Sequence, residues 1–182
     1  MEHPAELSLH SYMNSVLAGK KGMDQSIIDK VMSDVGDAMN KQFNSGPRDA
    51  FRLRMSNIGR PTCQLWFDKN EPEYKTAFPP RFLMMMMIGD IVEAVFKGLL
   101  RGADVDFEDN AKVTLDLDGR KINGEYDMKL DGKVDDVKST SPWSYTNKFA
   151  SFEALNSGDG FGYIPQLVGY AEAEGAPVGG WW

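Results

Sequence analysis

Apolar positions in the first 45 residues recur at spacings of three and four. Ile27, Ile28, Val31, Met32, Val35, Met39 and Phe43 form one amphipathic stripe behind a cap at Asp24. The stretch therefore reads as helix, with the stripe as core packing. Residues 46–80 show no such period and read as irregular. Pro79-Pro80 then introduces an apolar run, Phe82 to Leu100, in which Asp90, Glu93 and Lys97 share one stripe. Each of these charges costs roughly 2.5–3.5 kcal/mol at the centre of a spanning helix, so a buried helix of a soluble protein is expected. Met84 to Met87 read as flexible core filler.

Between residues 111 and 140 the period falls to two. Val113, Leu115 and Leu117 alternate with polar residues up to Asp118-Gly119. Ile122 to Leu130 follows, then Asp131-Gly132, then Lys133 to Thr140. Asp-Gly between alternating runs signals hairpins, which predicts a three-stranded antiparallel meander. Residues 141–160 read as a loop with short helical pieces, and a last helix runs from near Pro165 to about Glu174. Pro177 to Trp182 reads as a strand beginning where the chain stops. No repeat or linker divides the chain. The expectation is one domain, 1–182, with 1–45 as a helical segment and 46–182 as a core truncated at its C-terminus.

The second turn fixes a register. A two-residue Asp131-Gly132 loop sets Leu130 opposite Lys133 and Asp127 directly across from Asp136, with Cβ atoms about 4.5–5.5 Å apart. Lys138 shares their face, while Ile122, Tyr126, Met128, Leu130 and Val137 take the apolar face. Opposed carboxylates repel unless something positive lies between them, and hard oxygen ligands suit Mg²⁺ or Mn²⁺. A solvated polar face screened by Lys129 and Lys138 is the competing reading. The acid-x-Lys triplet itself says little, since Glu73/Lys75, Asp127/Lys129 and Asp131/Lys133 repeat it. Cross-strand placement carries the signal.

Composition narrows the field. With 42% apolar and 26% charged residues in 182, the chain is ordinary globular protein. A net charge of −7 offers no overall basic field, although Arg48, Arg52, Arg54 and Arg60 gather around a single acid, Asp49. The one cysteine, Cys63, excludes an intramolecular disulfide framework and any all-cysteine metal site, and fits a reducing compartment. The opening Met-Glu-His-Pro lacks the basic start of a secretory signal.

Four segments occur in a telling order: Gly89-Asp-Ile-Val-Glu93, Gly124-Glu-Tyr-Asp127, Asp136-Val-Lys138-Ser-Thr140 and Gln166-Leu-Val-Gly-Tyr170. Together they resemble the helix glutamate, GxxD, (D/E)xK strand and QxxxY helix of the PD-(D/E)XK nuclease superfamily, in its RecB-like, phage-type exonuclease branch. Arg54-Met-Ser56-Asn-Ile-Gly59-Arg60 with Gln64-Leu-Trp66 is similar to the opening segment of phage-type members. The similarity covers residues 50–175. One departure is that many RecB-like members carry histidine where Glu93 stands, whereas His3 and His10 lie far from these motifs.

The resemblance implies an α+β (α/β) fold with a restriction-endonuclease-like core: a central mixed sheet containing the antiparallel meander, flanked by helices, plus the N-terminal helical segment. It implies metal-dependent hydrolysis of DNA phosphodiesters by Glu93, Asp127, Asp136, Lys138, Gln166 and Tyr170. Glu93, Asp127, Asp136 and Val137 would hold Mg²⁺, with Mn²⁺ as a substitute and no iron–sulfur cluster. Lys138 would position the attacking water or stabilise the transition state. Gln166 and Tyr170, one helical turn apart, would line the site. Arg52, Arg54, Ser56 and Arg60 would bind a terminal 5′-phosphate or the DNA backbone, since guanidinium grips phosphate in bidentate fashion. Trp143 and Tyr145 are candidates to stack on an unpaired base, against the competing reading of ordinary surface or core aromatics.

The expected activity is a Mg²⁺-dependent DNA exonuclease of viral recombination or processing, working in the (host) cytoplasm on DNA with free ends. Expected partners include further copies of the chain and a single-strand-annealing or recombination protein, but no membrane. Three alternatives stay open: a structure-specific or restriction-type endonuclease on the same site, a catalytically idle DNA-binding relative, and a structural or interaction protein built on the N-terminal helices with the acids merely solvated.

Overall fold

Both Asp-Gly pairs close two-residue hairpins with positive φ at Asp118, Gly119, Asp131 and Gly132, the backbone a type I′ turn demands and Asp-Gly readily supplies. The computed structural model describes residues 3–44, 46 and 51–182. Among these residues, seven α-helices and six strands form a mixed α+β arrangement, with one four-stranded mixed sheet and one two-stranded antiparallel sheet. The chain divides into two compact units, Met1–Pro47 with Phe78–Phe107 and Arg48–Ala77 with Glu108–Trp182.

The first unit is helical. It holds α1 (Pro4–Leu17), α2 (Gln25–Phe43) and α4 (Pro80–Gly102), with Asp24 at the N-cap position of α2 but making no side-chain capping hydrogen bond, and Pro80 in the first turn of α4. Small residues let these helices approach. Gly98 of α4 lies beneath Val31, and a Cβ at Gly102 would stand 2.6 Å from the Tyr12 ring. Asp90 accepts a 2.6 Å hydrogen bond from Gln42 and pairs with Lys41 at 3.5 Å, tying α4 to α2.

Two expectations are corrected here. The α2 stripe is only half covered: Ile27, Val31 and Val35 are half-buried, but Met32 is 65% exposed and Phe43 is 51% exposed. An apolar stripe about 100° wide exceeds the line along which a single neighbouring helix touches it. For the same reason Met84 and Met85 face solvent instead of filling a core. No helix among the described residues is long and apolar enough to cross a membrane.

The second unit contains α3 (Thr62–Asn70) and 3₁₀ turns at Met55–Asn57 and Pro72–Tyr74, in a stretch that reads as irregular. Helix α3 buries none of its residues, so packing imposes no hydrophobic period on it. Strands β2 (Ala111–Leu117) and β3 (Arg120–Tyr126) pair alone as the two-stranded sheet. Strands β4 (Met128–Leu130) and β5 (Lys133–Asp136) make the second hairpin in the expected register, with Leu130 opposite Lys133 and Met128 opposite Asp135.

After α5 (Pro142–Asn147), α6 (Phe152–Ser157) and α7 (Tyr163–Glu174), strand β6 (Val178–Trp181) adds parallel to β5. A crossover of this length is what parallel pairing requires. The sheet order is β1-β4-β5-β6, with β1 at Phe107–Glu108.

There is accordingly no three-stranded meander. The run from Ile122 to Leu130 breaks at Asp127, between β3 and β4, and its two halves join different sheets. The break reassigns the faces. Ile122 and Tyr126 pack with Val134, together with Met55, Val113, Leu115, Leu167, Tyr170 and Ala171, in one core cluster against α7. Asp136, two residues from Val134, points to that same side of β5. The opposite side is also buried, by Met128 and Leu130, with Asp135 at 5% exposure. Asp135 accepts hydrogen bonds from Gly180 N (2.8 Å) and Trp182 Nε1 (3.1 Å), fastening β6 to β5.

Candidate functional site

The break at Asp127 frees its side chain to reach across the hairpin. Its Oδ2 accepts a 2.8 Å hydrogen bond from Val137 N, which holds the carboxylate where the register places it, at the level of Asp136. Asp136 is 3% exposed and ion-paired with Lys138 Nζ. A carboxylate withdrawn from water this far persists as an anion only with such compensation. Burial pulls the Lys138 pKa down, but attraction and hydrogen bonding to Asp136, with Asp127 adding, carry it above the ordinary lysine value. Lys138 therefore stands as an ammonium paired with Asp136 and attracted by Asp127. Lys129 is engaged elsewhere, with Glu108 at 2.9 Å and Glu174 at 3.1 Å, so the aspartates are not screened by it.

Helix α7 closes the site from the other side, beginning two residues before the expected Pro165. Asp159 explains its start, accepting from the backbone N–H of Gly162, Tyr163 and Ile164, each at 2.9 Å. Gly162, with φ 76°, presses against Gly59, where a Cβ would lie 2.6 Å from the Gly162 Cα. Asp159→Ala is expected to lower stability by about 1–2 kcal/mol, the range for a lost N-terminal cap. Asp159→Asn, which keeps one acceptor oxygen, should lose less. Thermal melts of the two variants check this order.

Within α7, Gln166 donates from Nε2 to the Tyr170 hydroxyl at 3.0 Å. Tyr170 is 4% exposed, and a Cβ at Gly124 would come within 2.5 Å of its ring. Gly124 of the GxxD segment is thus where β3 passes under Tyr170. Burial pushes the Tyr170 hydroxyl up to about 12, opposed by the Gln166 hydrogen bond and reinforced by Asp136 and Asp127. An unfolded tyrosine ionises near pH 10, so the unfolded state gives up this proton first. Stability from this group is complete below pH 10 and drains away as pH rises towards 12. Tyr170→Phe should remove that loss, flattening its curve against the wild type by about 1.4 kcal/mol per pH unit. Urea midpoints between pH 9 and 12 measure it.

No family model, curated protein or solved structure matches this chain.

The predicted residues fall into four groups. Asp127, Asp136, Val137, Lys138, Gln166 and Tyr170 come together in the second unit, around the end of β5 and the face of α7. Glu93 belongs to α4 in the first unit, where Lys97 Nζ, itself 3% exposed, lies 2.6 Å from its Oε1. The basic segment is ordered by Asn57, whose side chain accepts from Arg54 N at 2.8 Å and donates to the Arg52 carbonyl at 3.2 Å. Arg52 and Ser56 are exposed there, and Arg54 is half-buried. Arg60 is half-buried with its Nε enclosed and without a hydrogen-bond partner. Arg48 lies outside the described residues. Trp143 (69% exposed) and Tyr145 (68% exposed) sit on α5.

Among the described residues no group of three or more His, Cys, Asp or Glu side chains forms a metal cage. Two carboxylates and the Val137 carbonyl are nonetheless a hard-oxygen set suited to Mg²⁺, which keeps several waters and binds through one or two carboxylates. Sequence reasoning overlooked Asp135 and Asp159, whose roles depend on long-range backbone partners. It also overlooked Phe161, Tyr163 and Lys148, which sit in a stretch with no period to mark them.

Proposed function

We propose that this chain is a metal-dependent DNA exonuclease with a restriction-endonuclease-like core in its second unit. One observation carries the reading: Asp136 pairs with Lys138, Asp127 is held by the next residue's N–H, and both carboxylates act on Lys138 and on the Tyr170 hydroxyl of the Gln166–Tyr170 pair. A buried carboxylate with a second one drawn towards the same lysine costs stability that a purely structural role has no use for. Asp127, Asp136 and the Val137 carbonyl are the groups to hold Mg²⁺ or Mn²⁺. When bound, such an ion polarises the phosphate and lowers the pKa of its water.

The chain's own groups do the rest. The Val137 N–H fixes the Asp127 carboxylate, so its orientation needs no rearrangement on loading. The Lys138 ammonium is poised to orient the attacking water or to stabilise charge gathering on the phosphate oxygens. Tyr170 stays a neutral hydroxyl held by Gln166, so that pair presents fixed dipoles and no second negative charge to the substrate. Arg52, Arg54, Ser56 and Arg60 supply phosphate contacts.

Digestion of an end-labelled linear duplex beside closed-circular DNA, in Mg²⁺, Mn²⁺ and EDTA, is the test. Metal-dependent loss of the linear DNA alone is expected. Cleavage of the circle would move the assignment to an endonuclease. No cleavage by a folded protein in any metal would leave a DNA-binding relative.

A further inference from the structure

Beside Lys138 lies an aromatic cluster that the reaction above does not use. Tyr163 is the first residue of α7, and the Lys138 Nζ stands 5.8 Å from its ring centroid. Phe161 stacks on Tyr163, with centroids 5.6 Å apart and planes 25° from parallel, yet remains 57% exposed. Phe149 tilts against Tyr163 from another side at 5.5 Å. Lys148 holds its Nζ over both rings, 4.7 Å from the Phe161 centroid and 5.2 Å from that of Tyr163.

Single exposed apolar side chains need no explanation. A ring stacked on a second ring, bordered by ammonium groups and still open on over half its surface, is a different object. Its flat surface suits another π-system, and its rim suits an anion. In a chain of net charge −7, Lys148 supplies the positive charge at this cluster, since Lys138 is paired with Asp136. The nearest acid on this loop, Asp159, is spent capping α7 with three backbone bonds.

We propose that Phe161, braced by Tyr163 and Phe149, is a stacking platform for an unpaired nucleobase of single-stranded DNA, with Lys148 taking the adjoining phosphate. One aromatic ring, Tyr163, separates Phe161 from Lys138, the partner of Asp136, so the platform lies next to the proposed site. The proposal deepens the nuclease reading and rests on it for the choice of ligand. It assigns to Phe161 the stacking that the sequence suggested for Trp143 and Tyr145.

The test is binding of labelled oligo-dT to the full-length protein in EDTA, where nothing is cut, with an abasic oligomer of equal length alongside. Stacking on an aromatic side chain predicts that Phe161→Ala weakens oligo-dT binding roughly 5- to 150-fold. The abasic oligomer, which offers phosphates alone, should bind weakly to wild type and variant alike, and Phe161→Trp should restore the affinity for oligo-dT. Because Phe161 is largely exposed, these variants should melt with the wild type.

Equal oligo-dT affinity in wild type and Phe161→Ala would overturn the platform, as would an abasic oligomer that binds as well as oligo-dT, or no binding of either. The nuclease reading is scored separately on linear DNA with Mg²⁺. Phe161-dependent binding without cleavage sustains the platform and removes the hydrolase. Cleavage with binding indifferent to Phe161 does the reverse.

Discussion

Asp127→Asn should cut metal-dependent DNA cleavage by at least about two orders of magnitude, the scale on which a single preorganised electrostatic group acts, while the fold stands unchanged. Asparagine is nearly the same size and keeps a carbonyl oxygen to accept the 2.8 Å bond from Val137 N. It loses the charge that would hold the cation. In metal-free protein that loss also removes repulsion towards Asp136, so stability without metal should hold or rise by a few tenths of a kcal/mol. Added Mg²⁺ should raise the melting temperature of the wild type, since a ligand that binds only the folded state stabilises it. It should do little for the variant.

Asp136→Asn makes a useful contrast. It strips the Lys138 ammonium of its buried partner, so activity and metal-free stability should fall together. Rates on linear DNA, with melts in EDTA and Mg²⁺, separate the two variants. Wild-type cleavage by folded Asp127→Asn would end the assignment of Asp127.

Met55→Ala is expected to cost about 2–5 kcal/mol, the range for truncating a large buried aliphatic side chain, and this is a large share of a typical domain's 5–15 kcal/mol. Met55 is fully buried and packs in the cluster with Tyr126, Val134, Leu167 and Tyr170. A Cβ on Gly169 would lie 3.0 Å from its Sδ, and one on Gly124 only 2.7 Å from its Cβ. Few neighbours have slack to close the gap, which places the loss towards the upper end. A urea titration of wild type and variant reads it directly. A loss under about 1 kcal/mol would mean that the 3₁₀ turn can be released without disturbing the core, contrary to the packing described.

Met55 also marks the limit of what the sequence disclosed. The Asp131-Gly132 turn is a local device: two residues dictate the backbone, and the backbone dictates the register that sets Leu130 opposite Lys133 and Met128 opposite Asp135. No distant residue enters that sequence of causes. The bend at Asp127 was not legible, since Ile122 to Leu130 alternates as one strand would and only the core beneath α7 splits it. Nor was Met55, a single apolar residue in a segment without period, whose partners lie up to Ala171. The α2 stripe failed differently. Periodicity reports which face of a helix is apolar, but not how much of that face its neighbours cover. Of the candidate site, the members on β5 and α7 could be found from spacing, whereas the Asp159 cap and the Phe161 ring required three-dimensional neighbours.

The Met55 contact with Tyr170 sets a timetable for the newborn chain. Over a hundred residues separate the two, so the plug has no socket until α7 leaves the ribosome. At about 5–20 residues per second that interval is roughly 6–23 seconds. For that time Met55 and its arginine-bearing segment trail in water, open to chaperones and proteases. The hairpins of β2–β3 and β4–β5, built from neighbours, can close as they emerge. The core that holds Asp136 is therefore sealed last, and slower translation late in the message lengthens the exposure of its first-made part.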